Sequence, residues 1–103
     1  MFETINYGSG KVVYNDFVYD KQIPFEEQLE SFKEDLFQVV YQDRYIIDVG
    51  WYPSFSKDGE FQIVIIVDFD WEFPYFKRKC RSIEELENYM LECVSIVKSK
   101  LIK

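Results

Sequence analysis

The sequence contains no histidine, the side chain that most often acts as a general base near neutral pH and that commonly ligates metals. It also lacks a phosphate-binding glycine loop, a dinucleotide-binding fingerprint and a nucleophile elbow. We therefore expect no catalytic residue, no bound cofactor and no enzymatic activity.

Cysteine is scarce, since Cys80 and Cys93 are the two in the chain and no Cys-x-x-Cys occurs. The local patterns assign Cys80 to a strand and Cys93 to a helix. Such spacing indicates neither a disulfide framework nor a zinc site. We expect two reduced thiols that pack as small apolar side chains, and no metal site.

Long apolar runs are missing as well. No stretch approaches the roughly 20 apolar residues that a membrane span needs, and the start of the chain resembles no secretory signal. We expect a cytoplasmic protein without membrane contact. A length of 103 residues predicts a single domain, 1–103, with one core.

Positive charge is scarce in most of the chain. The formal net charge is −7, and residues 1–76 hold 15 acidic and 5 basic side chains, whereas residues 77–103 hold 4 acidic and 7 basic ones. An acidic surface repels a phosphate backbone and attracts a basic protein. We expect no nucleic-acid binding, and a protein partner with a basic surface.

Aromatic and β-branched residues are abundant and favour strands. The region before residue 24 is interpreted as one strand, or as two short strands around Asn15-Asp16. A hairpin follows later, because the Asp58-Gly59 turn signal separates two apolar runs, and Pro74 precedes a last strand. These three predicted strands lie at 45–52, 61–68 and 75–81.

Two segments carry apolar residues at helical spacing. Phe25, Leu29, Phe32 and Leu36 predict an amphipathic helix from about 24 to 41. Ser82 followed by Glu85 is the capping-box pattern that begins a second helix. The predicted fold class is α+β: an antiparallel sheet of four to five strands, in the order β(β)αβββα, with two amphipathic helices on one face.

Acidic and aromatic residues alternate over residues 68–74. In an extended chain this alternation sends three carboxylates to one side and three aromatic rings to the other, so we interpret the rings as core and the acids as a surface for a basic partner. A hard-cation site and a glycosidase-type carboxylate pair are alternatives that the spacing does not favour. With three tyrosines as aromatic anchors, the candidate partner-binding residues are Asp68, Asp70, Glu72, Tyr45, Tyr52 and Tyr75.

Several segments between about residues 45 and 92 form a recognisable combination: Asp48-Val49-Gly50-Trp51-Tyr52-Pro53, the Asp58-Gly59 turn, Asp70-Trp71-Glu72-Phe73-Pro74, and a helix start at Ser82 with Glu85-Leu86. This combination resembles small immunity proteins of bacterial polymorphic-toxin and contact-dependent growth inhibition systems. The resemblance implies a protein that binds its cognate toxin and covers the active site or another essential surface. Many such toxins are nucleases with basic grooves, which an acidic protein would fit.

The leading hypothesis is an immunity-type protein that binds and neutralises one toxin, for example a nuclease, through an acidic surface. One alternative is a non-catalytic structural or adaptor domain that forms homo-oligomers through an aromatic face of the sheet. Another is a small ligand-binding domain with a pocket between the sheet and the helices.

Overall fold

Five strands form one antiparallel sheet in the part of the chain that the computed structural model describes, which is residue 2 and residues 4–101. Their order in the sheet is their order in the sequence, so each strand pairs with the next. The expected antiparallel sheet is confirmed. Its strands are β1 (Lys11–Asn15), β2 (Phe37–Tyr41), β3 (Tyr45–Tyr52), β4 (Glu60–Val67) and β5 (Phe76–Cys80).

One α-helix, α1 (Ile83–Leu101), occurs among the described residues. It begins after Ser82, whose hydroxyl oxygen accepts a hydrogen bond from the Glu85 N–H at 3.1 Å, as the capping pattern predicts. None of the described helices is long and apolar enough to cross a membrane. The helix buries one stripe of side chains against the sheet, formed by Leu86, Met90, Cys93, Val94 and Val97.

The prediction of an amphipathic helix at about 24–41 is wrong, and so is the predicted arrangement of two helices on one face of the sheet. The segment contains two short 3₁₀ turns, Phe25–Glu27 and Leu29–Ser31, followed by β2. Leu29, Phe32 and Leu36 are buried, but without a regular helix. From residue 37 onward burial alternates with the period of a strand, and pairing with β3 satisfies the backbone hydrogen bonds.

Aromatic side chains occupy the space beside α1. The rings of Trp51 and Phe61 meet edge to face, with their centroids 4.9 Å apart, and Phe32 packs against both at 5.2–5.3 Å. Such contacts add to the stabilisation from burial itself. The irregular segment before β2 is therefore held against the sheet by its aromatic residues.

Gln28 also holds this irregular segment in place. Its side-chain oxygen accepts a hydrogen bond from the Asp20 N–H at 3.0 Å, and its amide nitrogen donates to the carbonyl oxygens of Asp20 at 2.9 Å and Ile23 at 3.0 Å. Because buried amides are costly when unpaired, these three bonds both satisfy Gln28 and fix the loop before β2.

Gly50 allows the chain before β2 to lie very close to the edge of β3. The Leu36 N–H donates to the Val49 carbonyl oxygen at 3.0 Å, and the Trp51 N–H donates to the Lys33 carbonyl oxygen at 2.9 Å. Between these two bonds the Glu34 carbonyl oxygen lies where a Cβ at residue 50 would be. The absence of a side chain at Gly50 therefore permits a bulge of the chain along the edge of β3, and this bulge places Asp35 on the face of the sheet opposite α1.

Replacing Gly50 with Ala should lower the free energy of unfolding by about 3 kcal/mol or more, since the new methyl group overlaps backbone atoms that cannot rotate away. Urea denaturation measures the change. Gln62→Ala, at the position of β4 that pairs with Gly50, is the control and should change stability by less than about 1 kcal/mol. Equal effects of the two substitutions would contradict the close approach of the Glu34 backbone as the reason for the glycine.

Candidate functional site

The two faces of the sheet differ in what covers them. Val49 of β3 and Ile63 of β4 belong to the main core with α1, whereas the residues next to them along each strand, such as Asp48 and Val64, point to the opposite, open face. On the open face, neighbouring strands contribute a row of paired positions running from β2 to β5. The row consists of Gln38, Asp48, Val64 and Lys77.

The open face contains a groove of about 530 Å³. Its floor is the sheet, and the segment that joins β4 to β5, here called the aromatic loop (residues 68–75), contributes three lining residues. The lining contains three carboxylates and one ammonium group, so its formal charge is −2. The lining residues are Asp35, Gln38, Asp48, Tyr52, Gln62, Val64, Ile66, Trp71, Glu72, Pro74 and Lys77.

Asp48 is the half-buried carboxylate in the floor of the groove. Its Oδ1 accepts a hydrogen bond from the Gln38 side-chain amide at 3.0 Å. Burial raises the pKa of Asp48; the hydrogen bond from Gln38 acts in the opposite direction, and the negative charge of Asp35 raises the pKa further. A cation entering the groove would stabilise the ionised form of Asp48, so the site suits a lysine or arginine side chain.

The groove also presents aromatic surface. Trp71 and Tyr52 line it together with the carboxylates. Aromatic faces attract ammonium and guanidinium groups, and arginine more often than lysine. The combination of carboxylates and rings therefore fits the long, cationic side chains of a basic protein surface.

The three acids predicted from the sequence do not share one face. β4 ends at Val67, and Asp68 and Phe69 then adopt positive φ values of 53° and 62°, as in a type I′ turn closed by the Asp70 N–H on the Val67 carbonyl oxygen at 3.1 Å. The alternation that would have aligned the acids is lost at this turn. Of the three, Glu72 alone lines the groove.

The other two predicted acids have local partners. Asp68 forms an exposed ion pair with Arg44, whose Nε lies 3.0 Å from its Oδ1. The Oδ1 of Asp70 accepts a hydrogen bond from the Phe73 N–H at 3.2 Å, which stabilises the aromatic loop. Both carboxylates are exposed and contribute to the charge around the groove rather than to its lining.

The predicted tyrosines lie in three different environments. Tyr45 is 6% exposed and belongs to the core, so it offers little contact area. Tyr52 is half-buried in the groove, and burial followed by the charge of Asp48 raises the pKa of its hydroxyl. Tyr75 is exposed, with the Lys100 ammonium 4.1 Å from its ring centroid. The structure therefore brings Tyr52 and Glu72 together and leaves Tyr45 apart.

The expectation that the aromatic residues of 68–74 pack in the core is wrong. Phe69 is 61% exposed, Trp71 48% and Phe73 73%, whereas Trp51 is fully buried and its indole N–H donates to the Ser56 carbonyl oxygen at 2.8 Å. These rings follow the end of β4, so they do not continue its core-facing row.

Two acids of the groove, Asp35 and Asp48, were not among the candidate binding residues predicted from the sequence. Asp48 carried a usable signal, because it is a carboxylate inside the apolar strand 45–52. Asp35 carried none, since the helix expected at 24–41 assigned it to a solvated helical face. Its position depends on the bulge of the chain beside Gly50.

The described residues contain no group of three or more acidic or cysteine side chains arranged to hold a metal ion. Cys80 and Cys93 are buried, and burial raises their thiol pKa values to about 11 and about 12, which makes them poor nucleophiles. No protein-family model, curated protein or solved structure matches the chain. The open face thus presents carboxylates and aromatic rings rather than a metal-binding cluster among the described residues.

Replacing Asp48 with Asn should increase stability at neutral pH. Because the pKa of Asp48 is raised in the folded protein, the protonated carboxyl contributes stability, and this contribution is complete below the ordinary pKa of 3.8. The contribution is lost as the pH rises through the pKa of Asp48 in the folded protein. The gain from Asp48→Asn should therefore vanish in acid. Urea denaturation at about pH 3 and about pH 7 measures this difference.

Asp16→Asn is the matched control with the opposite sign. A hydrogen bond from Lys33 lowers the pKa of Asp16, so its ionised form contributes stability above the ordinary pKa that is lost in acid. This variant should be less stable than the parent at neutral pH. A loss of stability in Asp48→Asn at neutral pH would contradict the desolvation of Asp48.

Proposed function

We propose that this chain is an immunity-type protein, which binds a basic protein toxin through the open face of its sheet and neutralises it by covering an essential surface. The observation that carries the proposal is the groove on that face, which combines the carboxylates of Asp35, Asp48 and Glu72 with the rings of Tyr52 and Trp71. A toxin that acts on nucleic acid has cationic side chains in its substrate groove, and these are the groups that such a site accommodates.

The resemblance to immunity proteins is a second argument for the proposed function. Two of the resembling segments, 48–53 and 70–74, lie far apart in the sequence, yet both contribute side chains to the lining of the groove. Asp48 and Tyr52 come from the first, and Trp71, Glu72 and Pro74 come from the second. The segments that carry the resemblance therefore meet at the candidate site.

Charge distribution supports rapid capture of a basic partner. The chain has a net charge of −7, and the acidic excess lies before residue 77, in the part that provides most of the groove. Long-range attraction raises the association rate of oppositely charged proteins, and a toxin must be bound before it acts. Neutralisation by binding needs no catalytic group, which agrees with a sequence that lacks histidine and with two buried thiols.

Co-expression with the protein encoded immediately upstream tests the proposal. The upstream protein should stop growth when expressed alone, and this chain should restore growth and co-purify with it in a 1:1 complex, as measured by size-exclusion chromatography with light scattering. An unrelated toxin serves as the control and should remain toxic. An upstream protein that is harmless and forms no complex would count decisively against the proposal.

The groove itself is tested by a triple variant, Asp35→Asn, Asp48→Asn and Glu72→Gln. The control triple is Glu84→Gln, Glu87→Gln and Glu92→Gln on α1, which removes the same charge away from the groove. Both triple variants should associate with the toxin more slowly at low salt, because both have lost negative charge. The groove variant should also dissociate from the toxin about tenfold faster or more, because it has lost direct contacts. Stopped-flow fluorescence and biolayer interferometry measure the two rates. Equal dissociation rates for the two triples would exclude the groove as the contact surface.

A further inference from the structure

The aromatic loop, residues 68–75, exposes more aromatic surface than folding requires. Phe69, Trp71, Phe73 and Tyr75 are all between 48% and 73% exposed, within one short connection. An aromatic side chain contributes to stability mainly through buried area, and clustered exposed rings are typical of binding surfaces. Trp71 lines the groove, but Phe69 and Phe73 are not among its lining residues.

The exposed rings are carried on an ordered backbone. The Asp68 N–H donates to the Arg44 carbonyl oxygen at 2.9 Å, and the Tyr75 N–H donates to the Ile65 carbonyl oxygen at 2.9 Å. Between these two points, Asp70 accepts the Phe73 N–H. A loop held in this way loses little conformational entropy on binding, so its rings are pre-organised as anchors.

Phe69 imposes two costs on the fold. Its φ of 62° lies in the left-handed region that bulky residues avoid, and its ring is 61% exposed. Asn or Gly would suit the same turn better. Phe55 shares both features, so what indicates a role for Phe69 outside the chain is its position among three other exposed rings in the loop that borders the groove.

We infer that the aromatic loop is a second anchor for the protein partner, in which Phe69 and Phe73 insert into apolar pockets and Asp68 and Asp70 meet the basic side chains around them. This inference rests on the proposed function for the existence of a toxin, but it assigns a contact that the groove does not include. It predicts a partner surface with apolar pockets rimmed by lysine or arginine, as at the centres of protein interfaces.

The charged groups around the aromatic loop favour a protein, rather than a lipid surface, as the partner that binds this loop. The loop and the adjoining groove contain five carboxylates, and the neighbouring cations are Arg44, which pairs with Asp68, Lys77, which lines the groove, and Lys100, which covers Tyr75. The carboxylates are Asp35, Asp48, Asp68, Asp70 and Glu72. Aromatic elements that enter membranes combine their rings with an excess of lysine and arginine. Here the acids outnumber the cations, which suits a basic protein and opposes an anionic bilayer.

The test uses the double variant Phe69→Asn and Phe73→Ser, with Phe55→Asn as its control. Phe55 is the matched residue, because its φ is 61° and it is 58% exposed, but it lies in the β3–β4 connection at the other end of the sheet. Both variants should have melting temperatures at least equal to that of the parent, since Asn tolerates this conformation. The double variant should bind the upstream toxin about 30-fold more weakly, whereas Phe55→Asn should bind it normally.

A selection from a displayed library of random peptides tests the loop without the toxin. Peptides that bind the parent should be enriched in an aliphatic or aromatic residue beside Lys or Arg, and they should bind Phe55→Asn but not the double variant. Vesicles of phosphatidylcholine with phosphatidylglycerol should not bind the parent.

The inference is overturned if the toxin does not distinguish the double variant from Phe55→Asn, if no selected peptide distinguishes them, or if the vesicles bind through Phe69 and Phe73. If the upstream protein proves not to be a toxin but peptides still require the two phenylalanines, the proposed function fails and the loop remains a protein-binding surface. If the toxin binds both variants equally, the function stands and the loop is not an anchor.

Discussion

Strands β3 and β4 pair over eight residues each, from Tyr45 with Val67 to Tyr52 with Glu60, and both have neighbouring strands on their outer edges. The register of this pair decides which side chains face α1 and which face the groove. Because side chains alternate along a strand, a slip of one residue would exchange Ile47 and Val49 with Asp48 and Gly50. Burial of Trp51 against Phe61 opposes such a slip, since it would move one of the two rings out of the core and break their contact.

Because the register places Gly50 on the open face, it also explains how the irregular segment before β2 contributes to the groove. This segment packs its aromatic residues on the side of α1, and its continuation bulges beside β3 where Gly50 leaves room. The bulge adds Asp35 to the groove beside Asp48. Two carboxylates then share a partly desolvated groove, and their mutual repulsion favours the arrival of a positive group.

The structure divides the aromatic residues into those that hold the fold and those that are presented to solvent. Trp51 and Phe61 stabilise the core, whereas the rings of the aromatic loop are exposed and Trp71 borders the groove. Acidic residues divide in a similar way between the groove and the loop. The groove and the loop thus provide adjacent areas of different chemistry, as at protein interfaces where apolar anchors are surrounded by polar contacts.

Elements with strong local signals were predictable from the sequence. The Asp58-Gly59 turn between two apolar runs indicates the β3–β4 hairpin, and Ser82 with Glu85 indicates the start of α1, because in both cases the residues that determine the element are neighbours in the chain. Tyr52 and Glu72 were likewise identified among the candidate site residues, and both line the groove.

Tertiary structure decided the rest. In 24–41 the apolar residues fit a helical period, but pairing with β3 and burial of aromatic rings stabilise 3₁₀ turns and a strand instead. In 68–75 alternation predicted an extended chain, whereas two residues with positive φ turn the backbone and release the rings from the core. The sequence by itself therefore determined the elements whose stabilising contacts are local. The groove depends on contacts between distant segments, such as Glu34 with Gly50, and no local pattern contains that information.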